Sequence, residues 1–404
     1  MRVKKRRRDI LLGYEMNAHP AASLEEFEDA LDRYVEPVRK KLAVTGEMAI
    51  APNIGEGLAR DLARTTAREN LRDRLADGGY RIYTVNAFPL RNFHARRVKE
   101  QVYLPSWAHR RRATLTCKIA DIVAEVQPDA QRITISTLGG GYRRAGDDRK
   151  TRLKMAANYL EVVAHLVRLE ARTGILIELT AEPEPDTTFE RSQDVIGFFE
   201  DLMLPLTGAL ARKLRVPKAR AEELLRRHFT VNLDVCHASV LFCDPVSEWK
   251  ELEGAGLRVA KLHLTSALSL KNPARNPGGV EELLAFAEGR YLHQSAGLRA
   301  DGTLWRGRDL PALRRAPLSG LREVRTHFHV PLSRARLGRL PTTREDTSAA
   351  IGHYLRHRDP PQLAIETYTW PILVAKRGLG AAERQRHLIS GIAAEFRWVL
   401  AQLG

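Results

Sequence analysis

The sequence predicts an α/β protein: one (β/α)8 barrel with long loops at its C-terminal mouth. Two observations carry the prediction. Apolar runs alternate with amphipathic stretches along 404 residues, and strands alternating with helices imply a parallel sheet. Four of the apolar runs also end in a metal-grade ligand: Ile177 to Glu182, Val231 to Asp234 and on to His237, Val259 to His263, and Leu363 to Glu366. In such a barrel the chemistry sits at the C-terminal ends of the strands, so these residues are expected at a common mouth.

Taken in order, Ile10 to Met16 reads as the first strand. Ser23 and Glu26 form a capping box, opening a helix with Leu24, Phe27, Leu31, Val35, Val38 and Leu42 on one face. Met48 to Pro52 is the second strand, and a long helix after it stops at Gly78-Gly79. The third strand is Tyr80 to Ala87, followed by a long loop from Phe88 to Trp107 and a helix from Arg111 to Val126. Arg132 to Thr137 is the fourth strand, Ile175 to Ala181 the fifth, Phe229 to Val235 the sixth, Arg258 to Leu264 the seventh and Gln362 to Thr367 the eighth. Val324 to Pro331 is a surplus strand-like segment, read as an addition at the mouth or else as a barrel strand in place of one counted above. The expected organisation is a basic flexible arm over residues 1–9 and a barrel over 10–404.

Hydrophobic residues make up 44% and charged residues 28% of the chain, an ordinary balance for a globular protein. The net charge of +16 admits a polyanionic partner, but Arg is scattered rather than clustered, so a small-molecule metabolite is the favoured partner and nucleic acid the weaker one. Cys117, Cys236 and Cys243 form no metal pair and no disulfide framework, which fits the cytoplasm. The apolar stretch after the basic start is too short for a signal peptide, and no run has the length to span a bilayer.

Carboxylate and imidazole at strand ends make an oxygen-and-nitrogen site for a divalent ion such as Mn, Zn, Mg or Fe. Glu182 and Glu184 lie in Ala-Glu-Pro-Glu-Pro, where proline stops the strand, with Glu182 ahead of Glu184. Asp234 ends its strand and His237 follows where the chain turns, so both can face one cavity; Cys236 between them reads as packing. Lys261 shares a strand face with His263, and His327 shares one with His329. The glycines at 139–141 ahead of Arg143 are a weak anion signal. No P-loop, nucleophile elbow or zinc-finger spacing is present.

The Asp-x-x-His turn with flanking strand-end Glu and His resembles the xylose isomerase-like barrel superfamily, which includes sugar isomerases, ketose epimerases and endonuclease-IV-type enzymes. Longer strings resemble the EboE-type metabolite traffic proteins of bacteria: Asn17-Ala18-His19-Pro20, Val85-Asn86-Ala87-Phe88-Pro89, Phe93-His94, Glu182-Pro183-Glu184-Pro185, Asp234-Val235-Cys236-His237, Tyr291-Leu292-His293-Gln294, Thr326-His327-Phe328-His329 and Ile365-Glu366-Thr367-Tyr368. The resemblance implies metal ligation by Glu182, Asp234, His263 and Glu366. It matches His237, His327 and His329 to the extra histidines of members that hold more metals. Asn86, His94 and His293 are the expected substrate contacts, and Glu182, Glu366, His237 and Lys261 the expected catalytic groups. The expected activity is isomerisation or epimerisation of a small polar, sugar-like or phosphorylated metabolite of a secondary-metabolite pathway. The alternatives are phosphoester hydrolysis of the endonuclease-IV type and a non-catalytic escort role.

Overall fold

The computed structural model describes residues 1–5, 8–375 and 378–404. Its centre is a parallel barrel of β1 (Arg8–Glu15), β2 (Met48–Ala51), β3 (Tyr80–Ile82 and Thr84–Asn86), β4 (Arg132–Leu138), β5 (Leu176–Glu182), β6 (Phe229–Asp234), β7 (Val259–Leu264) and β8 (Gln362–Ile365). Their pairing runs β2-β1-β8-β7-β6-β5-β4, and the two pieces of β3 complete the ring. The first piece pairs with β2 and the second with β4, so the barrel closes through the break at Tyr83. The Tyr83 hydroxyl donates to the Leu363 carbonyl of β8 on the far side of the barrel. Gly13 makes room for it, because a Cβ there would lie 1.7 Å from the hydroxyl oxygen. The strands read as continuous apolar runs because both faces are covered, by the barrel interior and by the outer helices.

The first helix starts as the sequence predicts, with the Ser23 hydroxyl accepting from Glu26 N at 3.2 Å. The Glu26 carboxylate reaches one residue further back than a capping box requires, to Ala22 N at 2.7 Å. The helix after β2 ends at Gly78, with Gly79 at φ +62°, where glycine is the favoured residue. The loop after β3 runs across the mouth and holds one short helical turn, Lys99–Tyr103.

Two expectations are corrected. Arg2–Lys5 of the basic arm is paired backbone, antiparallel to the start of β1, and the Met1 ammonium donates to Leu12 O at 2.7 Å. Free chain is the weaker solution there because the first half of β1 otherwise presents an open edge. Arg6 and Arg7 lie outside the described residues. The surplus segment is an addition, as expected, but it is not a strand throughout. A four-stranded antiparallel sheet of Leu268–Lys271, Ser295–Arg299, Leu304–Gly307 and Leu321–Thr326 is inserted between β7 and β8. The strand ends at Thr326, and His327 to Pro331 follow as irregular chain. The insertion has its own hydrophobic centre, with Leu270, Leu283, Leu313, Val324 and Phe328 fully buried. Among the described residues no helix is long and apolar enough to cross a membrane.

The closing helix, Ala381–Leu403, carries a buried carboxylate that ties these pieces together. Glu395 accepts from Leu332 N at 3.0 Å, the Thr367 hydroxyl at 2.7 Å and Trp370 Nε1 at 2.5 Å. It thereby holds the chain after His329 and the chain after Glu366 in place. Glu395→Ala is expected to cost roughly 3 kcal/mol, since three buried donors lose their acceptor and a cavity opens. A thermal midpoint equal to that of the parent protein would contradict this.

Candidate metal centre at the barrel mouth

Parallel strands bring their C-terminal ends to one face, and adjacent registers place Asp234 of β6 opposite His263 of β7. Glu182 ends β5, and Glu366 follows β8 directly. The ligand atoms of Glu182, Asp234, His263 and Glu366 all lie within 4.8 Å of one another, and all four residues are buried. His263 Nδ1 is their centre. It lies 3.2 Å from Glu182 Oε1, 3.5 Å from Asp234 Oδ2 and 3.5 Å from Glu366 Oε2. Its other nitrogen, Nε2, faces Glu15 Oε1 at 3.0 Å. A carboxylate on the far side of a ligating imidazole fixes the ring's tautomer and orientation.

The second carboxylate oxygens are handled in a common way. Asp234 Oδ1 accepts from His237 N at 2.9 Å and from the Thr265 hydroxyl at 2.8 Å, while Oδ2 has no hydrogen-bond partner. Glu366 Oε1 accepts from Asn17 Nδ2. Glu182 Oε2 is likewise buried without a partner. Buried acceptors left open in this way are costly, and three carboxylates around one imidazole form a donor set that fits a divalent cation.

Electrostatics agree. Burial, with the charges of Glu182, Glu15 and Asp234, pushes the Glu366 carboxyl up to about 8 against the pull of His263. Burial and the Lys261 ammonium push the His263 imidazole down, but Glu366, Glu182 and Asp234 outweigh them and hold it well above its ordinary value. Burial raises the Asp234 carboxyl, and the imidazoles of His237 and His329 overcome this to hold it well below the carboxylate range.

A second cluster lies alongside. His237 Nδ1 is 2.9 Å from Pro183 O, and His329 Nδ1 is 3.1 Å from Glu366 O. A carbonyl only accepts, so both Nδ1 atoms donate. His327 Nδ1 lies 2.9 Å from Gln294 Oε1, while Gln294 Nε2 donates to Pro185 O at 3.1 Å and to the Tyr103 hydroxyl at 2.6 Å. Tyr103 in turn donates to Glu184 Oε1 at 2.9 Å. Every proton in this chain is accounted for, and the Nε2 lone pairs of all three rings are directed at one another. The His327 Nε2 atom lies 3.2 Å from those of both His237 and His329. Such an array needs a proton or a cation at its centre. Asp234 and Glu184 flank it.

The structure therefore brings together all seven residues expected as metal ligands. Of the expected substrate contacts, Asn86 lines the cleft above the cluster. His94 instead lies in a side recess with its Nε2 2.9 Å from Asn17 O. His293 sits behind the site, where its Nδ1 donates to His327 O at 2.9 Å and its Nε2 faces Glu288 Oε1 at 3.0 Å. Lys261 does not reach the cleft either: it is fully buried, donating to Glu15 Oε1 at 2.5 Å and Ser136 Oγ at 2.8 Å. Arg143 is spent on Asp147, Glu190 and Asp194, so the glycine-rich turn is no anion cradle. Cys236 packs with Val240, Ala267 and Ala296. Sequence reasoning missed Glu15, although it too closes an apolar run, and it chose His293 over its neighbour Gln294.

The cleft above the cluster has a cavity volume of about 60 Å³ and is open to solvent on one side, and Glu182, Glu184, His237, His327, His329 and Glu366 line its floor. No family model matches the chain, and no curated protein matches it. Among solved structures it is similar to the IOLI protein with a binding zinc atom, at 10% identity and a TM-score of 0.45, covering 98% of each chain. It is similar to a xylose isomerase-like TIM barrel protein from Mycobacterium smegmatis in complex with magnesium, at 11% identity and a TM-score of 0.45, covering 96% of this chain and 97% of that one. An L-ribulose 3-epimerase is similar at 10% identity and a TM-score of 0.43, covering 98% and 94%.

Proposed function

We propose that the chain is a divalent-metal-dependent enzyme of the isomerase or epimerase type, acting on a small metabolite with a carbonyl beside a hydroxyl. The observation that carries this reading is the buried set of Glu182, Asp234, His263 and Glu366, with unpartnered carboxylate oxygens, at the floor of a cleft. A divalent ion held there supplies Lewis acidity to the two adjacent oxygens. Glu182 and Glu366 line the cleft, so either carboxylate can take a proton from one carbon and return it to the neighbouring carbon or the opposite face. Glu184 is a third proton carrier. Its Oε2 is unpartnered, and burial pushes its carboxyl up to about 7, with the Glu182 charge adding and His237 opposing. His237 places a donor or cation beside these oxygens, and Lys261 acts one layer lower by holding Glu15 against His263. The metabolite-traffic resemblance implies a cytoplasmic place in the trafficking or maturation of secondary metabolites, and the isomerase or epimerase chemistry is read from the site and not from that resemblance.

The test is elemental analysis of the purified protein, then turnover of aldose–ketose and epimer pairs with added Mn or Zn. Interconversion of a pair supports the reading. Metal-loaded protein inert toward every pair overturns it in favour of escort. The three-imidazole cluster favours a second reading, phosphoester hydrolysis with more than one ion, which requires DNA retention that falls steeply with salt.

Metal uptake at pH 7 is expected to release protons: from Glu366, whose carboxyl is pushed up to about 8, and from His263, which Glu366, Glu182 and Asp234 hold above its ordinary value. Apparent affinity then weakens as pH falls. Calorimetry in buffers of different ionisation enthalpy counts the protons, and a count of zero contradicts the expectation.

A further inference from the structure

Above its polar floor the cleft changes character. Phe93, Tyr291 and Tyr368 form a wall of rings, with centroids 4.6 Å, 5.0 Å and 5.5 Å apart. Tyr368 continues that wall down to the imidazoles, 4.7 Å from the His329 ring. Phe88, Val98 and Tyr103 line the same space. The lysine on the cleft is Lys99, and its ammonium is consumed by Glu288 O at 2.9 Å, Tyr291 O at 2.7 Å and Asp309 at 2.7 Å. The carboxylates Glu182, Glu184 and Glu366 offset the charge of His237 and of an ion held at the floor, and no free lysine or arginine lines the cleft among the described residues, so a phosphate finds little net attraction. Apart from tyrosine hydroxyls and the imidazoles of the floor, the neutral polar side chains on the cleft are Asn17 and Asn86, and Asn17 Nδ2 is already held by Glu366. A polyol reaching from the floor up the ring wall would bury there hydroxyls without partners, each at a cost of about 1–3 kcal/mol. A flat apolar group would instead stack on the rings, with its edge toward the imidazoles.

We infer that the substrate is amphiphilic: adjacent oxygens for the floor, carried on an aromatic or similarly flat apolar body for the ring wall, and without a phosphate. The inference rests on the metal-enzyme reading for the floor and on the ring wall alone for the body. Three probes sharing one head separate the two: hydroxyacetone, 2-hydroxy-1-phenylethanone and dihydroxyacetone phosphate. They are titrated calorimetrically into the full-length protein at measured metal content. The phenyl ketone is expected to bind at least about tenfold more tightly than hydroxyacetone, and the phosphate no more tightly. Tyr291→Ser is expected to remove about tenfold from the phenyl ketone alone, with metal content unchanged. Phe93→Ser, at a half-buried position, replaces it should that variant not fold. Equal binding of the methyl and phenyl ketones, or tightest binding of the phosphate, overturns the inference. Absence of metal overturns the floor reading instead, while the phenyl-against-methyl comparison still decides the body.

Discussion

Asp234→Asn is expected to weaken divalent-metal binding at the barrel mouth while leaving the chain folded. Asp234 is the one residue common to the four-residue cluster and to a grouping with His237 and His329. Its Oδ2 faces His263 at 3.5 Å, and its Oδ1 lies 3.9 Å from His237 Nε2. Asparagine keeps an oxygen for His237 N and Thr265, and it is as good a helix N-cap as aspartate. What it removes is the charge and the open oxygen. Metal affinity is therefore expected to fall by roughly a hundredfold or more, and the thermal midpoint of the metal-free protein falls as well, since His237, His329 and His263 lose the charge they face. Metal content after dialysis checks this. An unchanged affinity and stoichiometry would show that Asp234 holds no ion.

Lys261→Met is expected to cause the largest loss of stability. The Lys261 and Glu15 side chains have no exposure, and their charged atoms are 2.5 Å apart. Burial pushes the Glu15 carboxyl up, and Lys261 with His263 outweighs it and keeps it below its ordinary value. Methionine fills the space but leaves Glu15 short of its cation, at a cost of about 3–5 kcal/mol. Glu15→Gln combined with Lys261→Met removes both charges and is expected to recover much of that loss. The non-additivity, read by urea unfolding of metal-free protein, measures the pair. A single variant within about 1 kcal/mol of the parent would mean that His263 alone satisfies Glu15.

Much of this was legible in the chain because barrel strands are buried on both faces and stop where chemistry begins. Glu182, Asp234, His263 and Glu366 each close an apolar run, and their convergence follows from parallel pairing. Depth was not legible. Lys261 and His263 do share a face, but the strand's rise of about 6.6 Å over two residues puts Lys261 beneath the mouth. Nor was the route of His327 and His329 legible: they reach the site through a sheet inserted between β7 and β8, a long-range pairing with no local signal. The choice between His293 and Gln294 turned on one residue of parity at the start of a strand, where a single step reverses the face. Tyr83 hid its role because its span across the barrel depends on the bare backbone of Gly13.

The insertion has its own apolar centre, and it carries two of the three imidazoles whose third belongs to the barrel. Whatever fills that array is thus a clasp between two separately packed masses. Ligand occupancy and seating of the lobe become one equilibrium, so a chelator would loosen the roof of the cleft as well as empty its floor.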